Sequence, residues 1–128
     1  MRVLALDHGE ARCGCALSDP SGTLATPLDP VERPDSDRGL RQLVRLIEER
    51  GVEAVVVGLP LTLAGEEGEQ ALRARAFAER LGGRVSIPVE LYDERLTTRM
   101  AERGGEGDAD SRAAAHLLES WLTRSRSR

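Results

Sequence analysis

Asp7, Asp93, Glu94 and Asp110 are the residues of this 128-residue chain whose types and setting invite chemistry. Asp7 closes the apolar run "RVLALD", which otherwise belongs in a core. Asp93 and Glu94 close a second such run, "VSIPVELYDE", and Asp110 opens the segment "DSRAAAHLLESWL". Each has an ordinary reading on its own. Asp7 suits a turn, Asp93 and Glu94 suit a solvated strand end, and Asp110 suits the N-cap of the last helix. Together they mean more. Ligands gather at the carboxyl ends of core strands in α/β sheets, and an isolated buried charge needs a partner. Three carboxylates converging without Lys or His between them would repel one another, so a divalent cation is their natural partner. Oxygen-only ligation favours Mg²⁺ or Mn²⁺ over zinc. Such ions activate water and neutralise charge on a phosphate being cleaved.

The elements that must position these acids can be read from the hydrophobic pattern. "RVLALD" reads as a buried strand, "RCGCALS" at 12–18 as its hairpin partner and "TLATPL" at 23–28 as a short third strand, with Pro27 at an edge or an end. "ERPDSD" is a loop whose Ser36 or Asp37 caps a helix over 38–50, where Leu40, Leu43, Val44 and Ile47 share a face and Gly51 ends the run. "EAVVVGLP" has the continuous apolar character of a strand buried on both faces in a parallel sheet. Ala74, Phe77, Ala78 and Leu81 mark the next helix, stopped by Gly82 and Gly83. "LTTRMAERGG" suits a short helix capped by Thr97 or Thr98, and "ERGGEGDAD" suits a mobile segment that closes over substrate. Ala114, Leu117, Leu118, Trp121 and Leu122 make the apolar stripe of the last helix. The order β-β-β-α-β-α-β-α-α implies a mixed five-stranded α/β sheet with helices on both faces. One domain is expected over 1–123, followed by an Arg/Ser tail at 124–128.

Composition narrows the function classes. Hydrophobic residues make up 40% and charged residues 31%, ordinary for a soluble globular domain. Aromatics are only 2%, which argues against a base-stacking surface of the RRM or OB type. The net charge is −4, so binding of nucleic acid would need a local basic face or a bound cation. Every basic residue is Arg, whose planar fork suits phosphate. Arg12, Arg95 and Arg99 flank the acids and are candidate phosphate contacts. Arg124, Arg126 and Arg128 could tether a strand loosely. Cys13 and Cys15 share one face of a strand and suit small buried thiols in a reducing compartment. No apolar stretch is long enough to span a membrane, and a cytoplasmic location is expected.

"LALDHGEARCGCALSD", "VVVGLPLTLAGEEG", "YDERLTT" and "DSRAAAHLLESWL" together resemble the four blocks of the YqgF family. These are RNase H-fold nucleases, also called Holliday junction resolvase-like proteins or pre-16S rRNA nucleases. The resemblance runs in order over almost the whole chain. It implies the RNase H-like fold and metal-dependent phosphodiester cleavage. Carried over by position, Asp7, Glu94 and Asp110 become the catalytic and metal-binding acids, with Asp93 a secondary candidate. Glu10 stands where the family usually has a small or hydroxyl residue. The last helix offers one clear acid, because His116, six residues beyond Asp110, faces another direction.

The leading expectation is thus a nuclease requiring Mg²⁺ or Mn²⁺, with RNA, notably rRNA precursor, favoured by the resemblance. A DNA junction resolvase is the alternative. It would need a dimer for two symmetric cuts, whereas the absence of a heptad or an exposed apolar stripe favours a monomer. A non-catalytic RNA-binding module would not need the three acids. The two-domain clamp of an actin-like ATPase would not fit in this length.

Overall fold

The computed structural model describes residues 1–96 and 109–126. Five strands form one sheet: β1 Val3–His8, β2 Arg12–Ser18, β3 Ala25–Glu32, β4 Ala54–Leu59 and β5 Val89–Asp93. Their spatial order is β3-β2-β1-β4-β5. The first three are antiparallel neighbours, and β1, β4 and β5 run parallel. Helices α1 (Asp37–Glu49), α2 (Glu69–Gly82) and α3 (Ala109–Arg126) complete the order, with one 3₁₀ turn at Glu94–Leu96 after β5. The expected helix after Thr97 and the segment from Glu102 to Asp108 lie outside the described residues.

Side chains alternate across the central strands and divide the core between two faces. On one face Leu4, Leu6, Cys13, Cys15, Leu17, Val55 and Val57 pack against α1 and α2. On the other, Val3, Ala5, Ala16 and Val56 pack against Ala114, Leu117, Leu118 and Leu122 of α3. Helices therefore cover both faces, as the pattern implies. Both cysteines are buried and free. Trp121 sits half-buried at the margin of the α3 face, where its indole N–H donates to Glu90 at 2.9 Å.

The ends of α1 follow local rules. Ser36 is the N-cap, and its Oγ accepts from the backbone N–H of Gly39 at 3.0 Å. Beyond the helix, Gly51 takes a φ of 62°, a left-handed turn that glycine adopts without steric cost.

Three boundaries differ from the sequence expectation. β3 begins at Ala25 and continues to Glu32, four residues past the expected end at Leu28. Pro27 and Pro30 are tolerated because β3 is an edge strand, where a missing N–H costs little. A bulge absorbs the irregularity: Val31 lies opposite Cys13 and Leu28 opposite Cys15, so Asp29 and Pro30 share the space opposite Gly14. β5 begins at Val89 rather than Val85, just after Pro88. α3 runs through Arg124 to Arg126, so the first residues of the expected tail are helical. No described helix is long and apolar enough to cross a membrane.

Candidate active site

The alternation that builds the α3 face also builds the site. Val3, Ala5 and Asp7 point to one side of β1, while Ala54, Val56 and Gly58 point to the same side of β4. The chain leaves β5 at Asp93 and turns at once into the 3₁₀ turn that begins with Glu94. Glu94 then lies over Gly58. A Cβ added to Gly58 would stand 2.9 Å from both Cγ and Cδ of Glu94. The absent side chain on the intervening strand lets Glu94 reach Asp7, to which it hydrogen-bonds.

This pair is protonated more readily than ordinary acids. Burial raises the pKa of Asp7, and the nearby charge of Asp110 raises it further, while the hydrogen bond from Glu94 acts the other way. Burial, with the charge of Asp7 next, pushes Glu94 up to about 7. Both shifts favour a proton held between the two carboxyls.

Asp110 arrives from the other direction. It lies in the first turn of α3, one residue inside the helix, and does not serve as the expected N-cap. The helix start is held tightly to β2. A Cβ on Gly14 would stand 2.0 Å from the carbonyl oxygen of Asp110, so only glycine fits there. Ser111 is fully buried and its Oγ accepts from the backbone N–H of Cys15 at 3.2 Å. That contact satisfies an amide beside the bulge, where the ladder is interrupted. The Asp110 carboxylate pairs with the Arg12 guanidinium, Nε to Oδ2, at 3.5 Å.

The fold matches a set of known proteins. The family described as "RuvX: Holliday junction resolvase" matches residues 1–124. The chain belongs to this family. Its relatives include a Chloroflexus aurantiacus protein, named provisionally as a pre-16S rRNA nuclease, that is 50% identical over 79% of this chain and 66% of its own length. The chain thus spans about two thirds of that relative. An Anaeromyxobacter relative with the same name is 42% identical over 95% of this chain and 96% of its own. Among solved structures, Thermus thermophilus RuvC superposes with a TM-score of 0.72 at 14% identity, over 99% of this chain and 96% of RuvC. The same RuvC bound to a Holliday junction substrate gives 0.71. This likeness bears out the expected RNase H-like fold.

The candidate residues of the family member fall into three groups. Asp7 and Glu94 are in contact, and Asp110 is close enough for its charge to act on Asp7. Among the described residues, no three His, Cys, Asp or Glu side chains are gathered tightly enough to hold a metal ion between them. Arg12 adjoins the acids through Asp110. Arg95 is engaged elsewhere: its guanidinium forks onto Asp93 at 2.8–3.1 Å and reaches the Leu63 carbonyl at 3.3 Å. That fork holds the Asp93 carboxyl below the usual range and ties the 3₁₀ turn to the loop after β4. Arg99 lies outside the described residues. His116 bonds Glu119 within α3.

Gly58, Gly14 and Ser111 had no place in the sequence reading of the site. The two glycines carried a signal, since a glycine inside an otherwise apolar strand marks a close approach by another group. Ser111 carried none. His8 also has a structural role. Its side chain is only 4% exposed, its ring lies 4.7 Å from that of Phe77, and its Nε2 meets Asp35 at 2.9 Å.

Proposed function

We propose that this protein is a divalent-metal-dependent nuclease that hydrolyses phosphodiester bonds in RNA, acting on the 5′ end of an rRNA precursor in the cytoplasm. The observation that carries this reading is the Asp7–Glu94 pair, two half-buried carboxyls hydrogen-bonded to each other beside Gly58. The site chemistry fits a hard cation. Both donors are carboxylate oxygens, and displacing a shared proton leaves two anionic ligands directed at one point. Asp110, whose charge acts on Asp7, would be the third oxygen donor. Mg²⁺ or Mn²⁺ held there would activate water and neutralise charge on the scissile phosphate. The protein supplies the rest. Burial strengthens every charge interaction at the pair. Gly58 makes room for Glu94 and Gly14 for the start of α3, and Arg12 offers a planar fork to a phosphate oxygen. The names of the relatives favour rRNA precursor as substrate.

The family description supports a second reading, cleavage of four-way DNA junctions. The test is a panel of labelled precursor RNA, single-stranded DNA and a four-way junction, each with Mg²⁺, Mn²⁺ or EDTA. Cleavage of the RNA with either ion and none in EDTA is expected. Paired, symmetric cuts confined to the junction, made by a dimer, would replace the RNA reading. Cleavage in EDTA, or of no substrate, would overturn both.

A further inference from the structure

A groove of about 950 Å³ opens beside Arg12 between β3 and the start of α1. Its charged and amide lining is Arg12, Arg33, Arg38, Gln42 and one acid, Glu32. Past Gln42 it continues along α1 into a hollow of about 440 Å³ that includes Arg45 and Arg50, with Asp29 and Glu49 on its walls. We propose that this groove is a phosphate track: Arg33 and Arg38 bind the backbone of the nucleic-acid strand beyond the point of cleavage. The proposal rests on the reading of the protein as a nuclease and adds a binding site to it.

Three features support the track. The first is charge. In a chain of net −4, the groove beside Arg12 carries three arginines against one acid. Carboxylates hold Arg73, Arg75, Arg80, Arg84 and Arg95, yet among the described residues none holds Arg33 or Arg38. Both are exposed.

The second is backbone conformation. Arg33 has a φ of 46°, and among the described non-glycine residues it alone is left-handed. Such a conformation costs about 1 kcal/mol that glycine would not incur. The turn enforces it. The Arg33 N–H donates to the Ala11 carbonyl at 2.8 Å, and its own carbonyl accepts from the Ser36 N–H at 3.0 Å and the Ser36 hydroxyl at 2.7 Å. Gly39 lies against that carbonyl, where a Cβ would stand 2.2 Å away. Arginine at this position costs the fold a strain that glycine would avoid. It does place a guanidinium in the groove.

The third is continuity. Arg12 lines the groove and also pairs with Asp110, so the track begins at the acids. Arg38, Gln42 and Arg45 recur at helical spacing on one side of α1 and extend it by about 10 Å. The neighbouring edge of β3 is a poor template for a protein strand, because Pro27 and Pro30 lack the N–H donors that strand addition uses. A polyanion lying in the groove needs none of them.

The test is fluorescence anisotropy of the full chain with labelled single-stranded RNA and a labelled four-way DNA junction, across a salt series in EDTA. Cleavage plays no part in this readout, so a failure of the nuclease reading leaves it interpretable. Arg33→Gly and Arg38→Gln should each weaken binding of RNA roughly fivefold at about 0.1 M salt and make the salt slope shallower by about 0.7. On the junction the slope should fall by about 0.9 for each contact. Arg33→Gly should melt no lower than the wild type, since it relieves the left-handed strain, and this separates lost binding from lost folding. Wild-type affinity and slope for both probes in the double variant would overturn the proposal, as would a wild type that binds neither.

Discussion

Replacing Glu94 with glutamine isolates the energetics of the proton-sharing pair. In the folded protein, burial and the Asp7 charge lift Glu94 from 4.5 to about 7. The folded state therefore holds this proton more tightly than the unfolded chain does. Stability from the protonated pair is fully present below pH 4.5 and is lost as pH rises through about 7. The shift corresponds to a ceiling of about 3 kcal/mol, and partial solvent contact reduces it to about 2 kcal/mol. In Glu94→Gln the side-chain amide keeps a donor for Asp7 but cannot ionise. Urea denaturation in EDTA at pH 5 and pH 8 measures the effect, with the wild type losing about 2 kcal/mol more than Glu94→Gln over that interval. Asp19, held near 2 by hydrogen bonds from Ser21, Leu24 and Thr23, titrates in strong acid and leaves this window undisturbed. Added Mg²⁺ should stabilise the wild type at pH 8 and stabilise the variant less. Equal pH dependence in the two proteins would refute the raised pKa of Glu94 and the proton shared with Asp7.

Other substitutions test the supports of the site. Gly58→Ala should leave the fold standing, because the atoms it crowds belong to a movable side chain, but displacing Glu94 by about an ångström should cost on the order of a hundredfold in cleavage rate. Single-turnover kinetics beside a melting curve separates the two effects. Gly14→Ala meets backbone rather than side chain, so it should lower stability by about 1–3 kcal/mol and loosen the start of α3, read by hydrogen exchange at residues 110–114. Ser111→Ala strands the buried amide of Cys15 and should cost about 1–3 kcal/mol by urea denaturation, whereas Ser111→Thr, which keeps the hydroxyl, tests whether the pocket admits a methyl group.

The two-faced core was legible because it rests on periodicity. "EAVVVGLP" announces a strand buried on both sides, and Leu40, Leu43 and Ile47 announce one face of a helix. Asp7 was legible because a carboxylate ending such a strand needs a partner. The extent of β3 was hidden, since Pro27 and Pro30 read as breakers until the strand is known to lie at an edge with a bulge. Asp110 was readable as a helix-start acid, but its place inside the first turn follows from the packing of Ser111 and Gly14, which joins residues nearly a hundred positions apart. The fork of Arg95 on Asp93 could not be told from a free arginine, because a side chain two residues away can point anywhere until the 3₁₀ turn fixes it. The groove along α1 was invisible for the same reason. It depends on how an edge strand and a helix sit together, and Arg33 and Arg38 read in the sequence as ordinary surface charge.

The most direct test of the central claim is single-turnover cleavage of labelled precursor RNA in Mg²⁺ by the wild type and Asp7→Asn, each first shown to be folded by circular dichroism. Asp7→Asn keeps the shape of the site and removes one of the anionic oxygens proposed to hold the ion. The expected result is cleavage by the wild type and none above background by the variant. Equal cleavage by both proteins would contradict the assignment of the Asp7–Glu94 pair as the catalytic centre.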